Sequence, residues 1–129
     1  METIEWSESI SVNNSNIDSQ HRHLIALTNN LILHSNAKTN SRLINESLSE
    51  LLKYAKMHFR DEEKLLKEYD YPKLEAHRKE HERFTHRIVF FCKDVIDQKE
   101  TVTEEMISFL VDWLLNHTSV DDQDYKKYI

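Results

Sequence analysis

The chain has 129 residues, a formal net charge of −6, one proline and no glycine, where average usage would give about nine glycines. This composition argues against glycine-dependent hairpins and favours one all-α domain with short connections. The acidic balance, without any lysine- or arginine-rich run, argues against binding to nucleic acid.

Apolar residues recur at helical spacing along four segments that follow an irregular N-terminal arm, residues 1–17. The predicted helices span residues 18–36, 41–69, 72–98 and 103–120. Asp18 can cap the first helix, and Pro72 is expected in the first turn of the third, because proline disfavours helical backbone in the residue before it. Together these segments predict an up-down four-helix bundle in which residues 1–129 form one domain.

Several histidines lie on the apolar faces of these helices, namely His21, His58, His77, His81 and His117. His77 and His81 are four residues apart and therefore lie one above the other on the third helix. His58 and Glu62 have the same spacing on the second helix. A single histidine on an apolar face is usually a hydrogen-bonded core residue, but five in one small core would lose many hydrogen bonds unless a metal bound their nitrogens. We therefore predict a two-metal site in the middle of the bundle.

The types of ligand discriminate among metal sites. The chain contains neither the His-Glu-x-x-His motif of zinc peptidases nor the Glu-x-x-His motif of ferritin-like di-iron proteins. A histidine-rich set of nitrogen and oxygen donors suits iron. Two six-coordinate irons offer about twelve positions, and five imidazoles, two bridging carboxylates and a bridging oxide or hydroxide would fill all but one. A single vacant position is what a small diatomic ligand needs.

Four motifs follow Trp6 in a fixed order. They are Ile17-Asp18-x-Gln20-His21-x-x-Leu24, His58-Phe59-x-x-Glu62-Glu63-x-Leu65-Leu66, Tyr71-Pro72-x-Leu74-x-x-His77-x-x-x-His81-x-x-Phe84, and Trp113-Leu114-x-Asn116-His117 with Asp122. Each motif alone is weak, but the ordered set is specific. It resembles the hemerythrin family, in particular its single-domain bacterial members, over essentially the whole chain.

This resemblance implies a non-haem di-iron centre, with two oxo- or hydroxo-bridged Fe ions, that binds O₂ reversibly. The implied metal ligands are His21, His58, Glu62, His77, His81, His117 and Asp122. By that similarity, the histidines of the third and fourth helices would hold one iron, those of the first and second the other, and the two carboxylates would bridge them. The implied wall of the O₂ pocket contains Phe59, Trp113 and Leu114, with Thr118 at a position where the family often has isoleucine.

Helix geometry leaves two candidates for the last ligand. On a straight α-helix, Asp121 lies four residues past His117 and on the same face, whereas Asp122, at five residues, is turned away. The spacing in the family favours Asp122, which requires a distorted or ending helix at this point. We predict Asp122.

The predicted function is reversible O₂ binding for storage, delivery or sensing, without enzymatic turnover. Two alternatives would use the same centre: a di-iron enzyme acting on peroxide, nitric oxide or O₂, and an iron-handling protein. Five neutral imidazoles donate less negative charge than carboxylate-rich sites, which favours binding over activation. The chain is expected to be a monomer or a weak homo-oligomer. It is expected to be cytoplasmic, since it has no signal peptide and no apolar run of roughly 18–20 residues that could enter a membrane.

Overall fold

The computed structural model describes residues 3–36, 41–96 and 102–129, and all regular structure within these ranges is helical. The four long helices are α1 (Ser15–Asn36), α2 (Ser41–Glu68), α3 (Leu74–Ile96) and α4 (Val102–Asn116). Each helix packs against the next along the chain, and α4 closes the bundle against α1. The predicted all-α four-helix architecture is therefore confirmed.

Shorter elements complete the chain. They are a 3₁₀ turn in the N-terminal arm (Glu8–Ile10), a π-helical turn after α4 (His117–Asp121), the one-turn helix α5 (Asp122–Tyr125) and a final 3₁₀ turn (Lys126–Tyr128). None of the helices in the described ranges combines the length and the apolar character needed to span a bilayer.

The first helix begins three residues earlier than predicted, at a different cap. Asn14 caps α1, since its side-chain oxygen accepts a hydrogen bond from the backbone N–H of Ile17 at 3.0 Å. Asp18 does not cap the helix. Its carboxylate instead accepts hydrogen bonds from the Ser11 hydroxyl at 2.6 Å and from the backbone N–H of Val12 at 2.9 Å. Asp18 thus attaches the N-terminal arm to the first turn of α1.

The connection between α2 and α3 is a tight turn without glycine. Asp70 has φ of 52°, and the backbone N–H of Tyr71 donates to the carbonyl of Leu66 at 3.0 Å, the hydrogen-bond pattern of a Schellman motif. The N–H of Leu74 donates to the Tyr71 carbonyl at 3.3 Å, so Pro72 lies in a turn before α3 rather than in its first turn. The third helix therefore begins two residues after the predicted start.

Other helix bounds differ at their ends. The second helix ends at Glu68, one residue before the predicted end, and α4 begins at Val102, one residue before its predicted start. The regular α-helix of α4 ends at Asn116, whereas the prediction continued it to residue 120. The predicted end of the third helix, at residues 97–98, lies outside the described residues.

The core is divided into two apolar clusters by a layer of polar side chains. The main cluster includes Leu48, Ala55 and Ile88, which are fully buried. The second cluster is smaller and comprises Val12, Ile17, Leu66, Tyr71 and Tyr125. Along α2, for example, Ala55 belongs to the main cluster and Leu66 to the second, and the polar layer lies between these positions. Apolar side chains thus exclude water from both sides of that layer.

Candidate metal centre

All seven predicted ligand residues lie in this polar layer. They are His21 from α1, His58 and Glu62 from α2, His77 and His81 from α3, His117 from the π-helical turn, and Asp122 from α5. Their side chains are buried, and even the most accessible, His77, is only 5% exposed. Five imidazoles and two carboxylates therefore share one small volume that is almost entirely shielded from bulk water.

One group of three histidines surrounds one oxygen of each carboxylate. Oε1 of Glu62 lies 2.5 Å from Nε2 of His77, 3.0 Å from Nε2 of His81 and 3.5 Å from Nε2 of His117. Oδ1 of Asp122 lies 3.2 Å from Nε2 of His77 and 3.0 Å from Nε2 of His117. These five side chains thus direct their donor atoms towards one region.

The other two histidines face the second oxygen of each carboxylate. Oε2 of Glu62 lies 3.4 Å from Nε2 of His21 and 3.3 Å from Nε2 of His58. Oδ2 of Asp122 lies 3.1 Å from Nε2 of His21. The two oxygens of each carboxylate therefore face different groups of imidazoles. Glu62 faces three with Oε1 and two with Oε2, whereas Asp122 faces two with Oδ1 and one with Oδ2.

The donor atoms are close together, yet several make no hydrogen bond. Among these buried atoms are both ring nitrogens of His21, Nε2 of His58 and both carboxylate oxygens of Asp122. Moreover, Nε2 of His81 and Nε2 of His117 face each other at 3.2 Å. A buried polar atom without a partner costs about 1–3 kcal/mol, so this arrangement is expensive for protein atoms alone.

A pair of cations would satisfy the same atoms. Two ligands bound about 2.1 Å from one ion at right angles lie about 3 Å apart, close to the separations between the nitrogens and oxygens of this layer. Two sets of side chains have donor atoms within 4.8 Å of one another: Glu62, His77, His81 and His117; and His21, His58 and Glu62. The residues present therefore fit two metal ions that share bridging carboxylates.

The carboxylates control the protonation of the metal-free site. Burial alone would lower the pKa of His21, but Asp122 and Glu62 together raise it to about 10. The same two carboxylates overcome burial to raise the pKa of His77 to about 10. The pKa of His117 rises to about 9 against the effect of burial, through Asp122 and then Asp121 and Glu62. Without metal, protons thus occupy part of the space between the carboxylates.

The pKa values of His58, Glu62, Asp122 and Tyr125 are shifted as well. Burial lowers the pKa of the His58 imidazole, since desolvation outweighs the attraction of Glu62. Burial opposes ionisation of Glu62 and Asp122, but the surrounding imidazoles lower the pKa of both. The phenol of Tyr125 has a raised pKa because it is buried beside both carboxylates. The layer therefore holds two ionised carboxylates at neutral pH.

The π-helical turn explains why Asp122 rather than Asp121 faces the other ligands. The backbone N–H of Asp122 donates to the carbonyl of His117, five residues earlier, where a regular α-helix would use the residue four positions back. This wider turn brings residues five apart onto one face. Asp121 lies on the outer side of the ring, with Oδ2 3.5 Å from Nδ1 of His117. The distortion that the spacing required is therefore present.

Two polar side chains orient ligand rings through the nitrogen that faces away from the centre. The amide of Gln20 donates to Asp61 at 2.8 Å, so Oε1 of Gln20 accepts the Nδ1–H of His58 at 2.6 Å. Oε2 of Glu63 likewise accepts the Nδ1–H of His81 at 2.9 Å. In both rings the proton is on Nδ1, which leaves Nε2 free to bind a metal.

Three residues that sequence reasoning did not assign thus support the site. Gln20 directly precedes a ligand in the first motif, and Glu63 directly follows one in the second. The third is Tyr125, whose hydroxyl donates to Oε2 of Glu62 at 3.1 Å. It follows Asp122 by three residues, which places it near the same face of α5 and is the one signal that could have indicated it.

A small apolar cavity adjoins the polar layer. Phe59, Trp113 and Leu114 line it, and the remaining lining residues are Leu24, Thr28, Leu51, Ala55, Phe84 and Leu110. The volume available to the centre of a water-sized molecule is about 10 Å³. This is close to the lower limit for holding one water, so the cavity admits at most a very small molecule.

Two walls of this cavity contact ligand rings directly. Phe59 stacks on His81 with ring centroids 3.9 Å apart, and Trp113 stacks on His117 at 4.3 Å. Thr118 is buried but does not line the cavity, and its hydroxyl donates to the carbonyl of Leu114 at 2.8 Å. Three of the four predicted pocket residues therefore surround the cavity, and Thr118 lies outside it.

Comparison with known proteins is consistent with this geometry. Residues 12–129 match the family model described as the hemerythrin HHE cation binding domain. The chain is 30% identical over 125 residues to the bacteriohemerythrin of Stenotrophomonas maltophilia (strain R551-3), covering 97% of this chain and 80% of that protein. It is 31% identical over 125 residues to the myohemerythrin of Theromyzon tessulatum, covering 97% and 92%. A crystal structure of wild-type hemerythrin matches with a TM-score of 0.86 at 27% identity, covering 98% of this chain and 97% of the other.

Proposed function

Because the chain belongs to the hemerythrin family, we propose that it binds O₂ reversibly at a non-haem di-iron centre built from the buried polar layer. The observation that carries this proposal is the division of the donor atoms into groups of three and two imidazoles, with one oxygen of Glu62 and one of Asp122 directed to each. An asymmetric pair of metal sites leaves one ion with fewer protein ligands.

The proposed ligands of one iron are His77, His81 and His117, and those of the other are His21 and His58. Glu62 and Asp122 would bridge the two ions, together with an oxo or hydroxo group. Gln20 and Glu63 hold the rings of His58 and His81 in the tautomer that binding requires.

A di-iron centre supplies, when bound, two electrons and an open coordination position for O₂. The protein contributes a closed and dry environment. The cavity beside Phe59 and Trp113 excludes bulk water and anions, which would otherwise compete at the open position. The hydroxyl of Tyr125 donates a hydrogen bond to Oε2 of Glu62, the oxygen that faces His21 and His58. This bond fixes the orientation of the carboxylate.

The lining of the cavity favours binding over turnover. Within the described residues, its only polar lining residue is Thr28, and the hydroxyl of Thr28 already donates to the carbonyl of Leu24 at 2.8 Å. An enzyme that cleaved or reduced a bound oxygen species would need a proton donor here. We therefore propose that the chain is not an enzyme. The burial of all seven proposed ligands likewise disfavours a protein that releases its iron readily.

Three further assignments belong to this proposal. Residues 1–129 would form one domain, the chain would act as a monomer or weak homo-oligomer, and its compartment would be the cytoplasm. The net charge of −6 supports a protein that does not bind nucleic acid. Sedimentation analysis over a range of concentrations tests the oligomeric state, and a stable higher assembly would contradict it.

The function is tested by loading the metal-free protein with ferrous iron in the absence of oxygen and then adding O₂. We expect two irons per chain and a visible absorption band that appears with O₂ and disappears when O₂ is removed. Immediate and irreversible oxidation with release of peroxide would overturn the proposal in favour of an enzyme.

The metal assignment is tested with His77→Ala, which should lose most of the bound iron because His77 faces oxygens of both carboxylates. His23→Ala is the matched control, since His23 is exposed on α1 and lies outside the polar layer. Retention of both irons by His77→Ala would contradict the assignment of His77 as a metal ligand.

A further inference from the structure

A cleft on the surface between α2 and α3 concentrates positive charge in a protein of net charge −6. The lysine and arginine residues that line it are Lys56, Arg60, Lys64, Lys67 and Arg78. Among the described residues, two carboxylates, Glu63 and Glu82, line the same cleft. Its volume is about 470 Å³, which is in the range of sites that bind small molecules.

Four of the basic residues form one continuous stripe on α2. Lys56, Arg60, Lys64 and Lys67 follow one another at intervals of four, four and three residues, so they share one face over about 16 Å. Like charges at this spacing weaken a helix by a few tenths of a kcal/mol for each pair. The four like charges therefore destabilise α2, so a contribution to helix stability does not explain their presence.

The stripe is also unpaired. Within residues 3–36, 41–96 and 102–129, none of its four side chains makes an ion pair or a hydrogen bond. Some basic residues outside the stripe are paired, for example Arg42 with Glu46 at 3.1 Å and Arg83 with Glu80 at 3.1 Å. The positive charge of the stripe is thus available to an external anion.

A chain of polar contacts leads from this cleft to the metal centre. Nε of Arg78 donates to Oε1 of Glu63 at 3.1 Å, and the other oxygen of Glu63 accepts the Nδ1–H of His81 at 2.9 Å. Nε2 of His81, on the far side of the ring, lies 3.0 Å from Oε1 of Glu62. The side chain of Arg78 is 37% exposed, so it can contact a bound anion without unfolding of the helix.

We propose that the cleft between α2 and α3 binds a small polyanion of the polyphosphate class, and that this anion increases the affinity of the centre for O₂ by drawing Arg78 away from Glu63. Lysine and arginine are the side chains that bind phosphate groups most strongly. Several cations spread over about 16 Å suit a ligand with consecutive phosphates better than a single phosphate. The acidic surface elsewhere disfavours a long polyanion such as nucleic acid.

The direction of the effect follows from the contacts of Glu63. When Arg78 pairs with the anion, Glu63 loses a cationic partner and accepts more strongly from His81. An imidazole whose Nδ1–H is held more strongly is a better donor through Nε2. Stronger donation would favour the more oxidised state of a bound metal, and a di-iron centre would supply electrons to O₂ on binding it. The effect of the anion on O₂ affinity rests on the proposed function, whereas the binding of the anion does not.

Binding is tested by titrating tripolyphosphate, pyrophosphate and inorganic phosphate into the iron-loaded protein in a calorimeter. We expect one site per chain, affinity that falls in that order, and weaker binding as the salt concentration rises. The double variant Arg60→Gln/Lys64→Gln should bind about three- to tenfold more weakly, because each exposed charge pair contributes little by itself. Lys53→Gln is the control, since Lys53 is exposed on α2 outside the cleft.

Iron content is measured after each titration, because polyphosphates chelate iron. Heat that persists unchanged in the double variant, or no heat at all, overturns the site. This result does not depend on whether the protein binds O₂, so failure of the anion site and failure of the proposed function are distinguishable.

The coupling is tested by O₂ titration with and without saturating tripolyphosphate. We expect tighter O₂ binding in the presence of the anion. In Arg78→Gln the affinity for O₂ should already be raised and the response to the anion lost. Anion binding that leaves the O₂ affinity of the unmodified protein unchanged overturns the coupling.

Discussion

At the scale of single residues, Glu62 organises the candidate centre. Its two oxygens lie within 3.5 Å of Nε2 of all five histidines, and Oε2 also accepts the hydroxyl of Tyr125. A carboxylate without a partner could not remain ionised in such a buried position. Burial alone would raise the pKa of Glu62, but the surrounding imidazoles, His58 foremost, hold it well below its ordinary value. Protons and metal ions therefore compete for the same oxygens and nitrogens.

This competition gives the metal-free protein a defined dependence on pH. The pKa of His21 and of His77 is raised to about 10 and that of His117 to about 9, from an ordinary value of 6.5. A raised pKa contributes stability that is fully present below pH 6.5 and is lost as the pH rises through about 9–10. The melting temperature of the metal-free protein should therefore fall between pH 6.5 and 10.

Iron should reverse this trend, because metal binding releases the same protons and becomes stronger as the pH rises. Melting curves of the metal-free and the iron-loaded protein, recorded in parallel over this interval, measure both effects. A melting temperature of the metal-free protein that rises over the interval would show that these three imidazoles are not held as cations.

Tyr125 gives a second prediction at this scale. Tyr125→Phe removes the hydrogen bond to Oε2 of Glu62 and keeps the ring that packs in the second apolar cluster. A hydrogen bond to a charged group contributes about 1.5–3 kcal/mol, so the free energy of unfolding of the metal-free protein should fall by about this amount. Urea denaturation measures it. Tyr69→Phe, at an exposed position, is the control, and equal effects of the two changes would rule out a special role for Tyr125.

At the scale of elements, the helices could be predicted from the sequence more readily than their ends. Apolar periodicity identifies all four long helices, because burial of one face dominates the choice of structure. The cap of α1 could not be predicted, since Asp18 is a good capping residue and only the folded arm brings Ser11 and Val12 to its carboxylate. The start of α3 similarly depends on a turn that hydrogen bonds from Tyr71 and Leu74 define.

The candidate metal centre likewise combines features that could be predicted from the sequence with features that could not. The ligand types and their spacing on α2 and α3 are local, so helical periodicity alone groups them. The roles of Gln20 and Glu63 are not local, because each depends on which ring nitrogen faces it from another helix. The π-helical turn could be predicted only in part. Nothing in residues 117–121 demands it, and only the five-residue interval between His117 and Asp122 in the resemblance indicated a distortion.

The π-helical turn yields a prediction that separates the two candidate aspartates. Asp122→Asn should lose most of the bound iron, because both oxygens of Asp122 face imidazoles and an amide offers only one oxygen. Asp121→Asn should keep two irons, since Asp121 lies beside the outer nitrogen of His117. Iron analysis of both purified variants decides between them. The opposite pattern would mean that this segment adopts a regular α-helix when iron is bound.

At the scale of the whole molecule, the centre is a polar layer between two apolar clusters of unequal size. The main cluster contains Leu48, Leu51 and Ile88, all at most 2% exposed, whereas the second is formed by five buried residues at the other end of the bundle. The candidate centre therefore lies between two clusters of different size. We expect the smaller cluster to depend more strongly on the metal, because Val12 of the arm and Tyr125 of α5 belong to it.

Removal of iron should consequently loosen the molecule unevenly. Without metal, buried atoms such as Nδ1 of His21 and Nε2 of His58 have no hydrogen bond, and each such atom costs about 1–3 kcal/mol. Local opening should therefore become easier in residues 117–125 and around Ile17, while amides near Leu48 and Ile88 keep most of their protection. Hydrogen exchange of the iron-loaded and the metal-free protein, compared residue by residue, measures this difference. A uniform loss of protection along all four helices would instead mean that the bundle unfolds as one unit and that the main cluster has no stability independent of the centre.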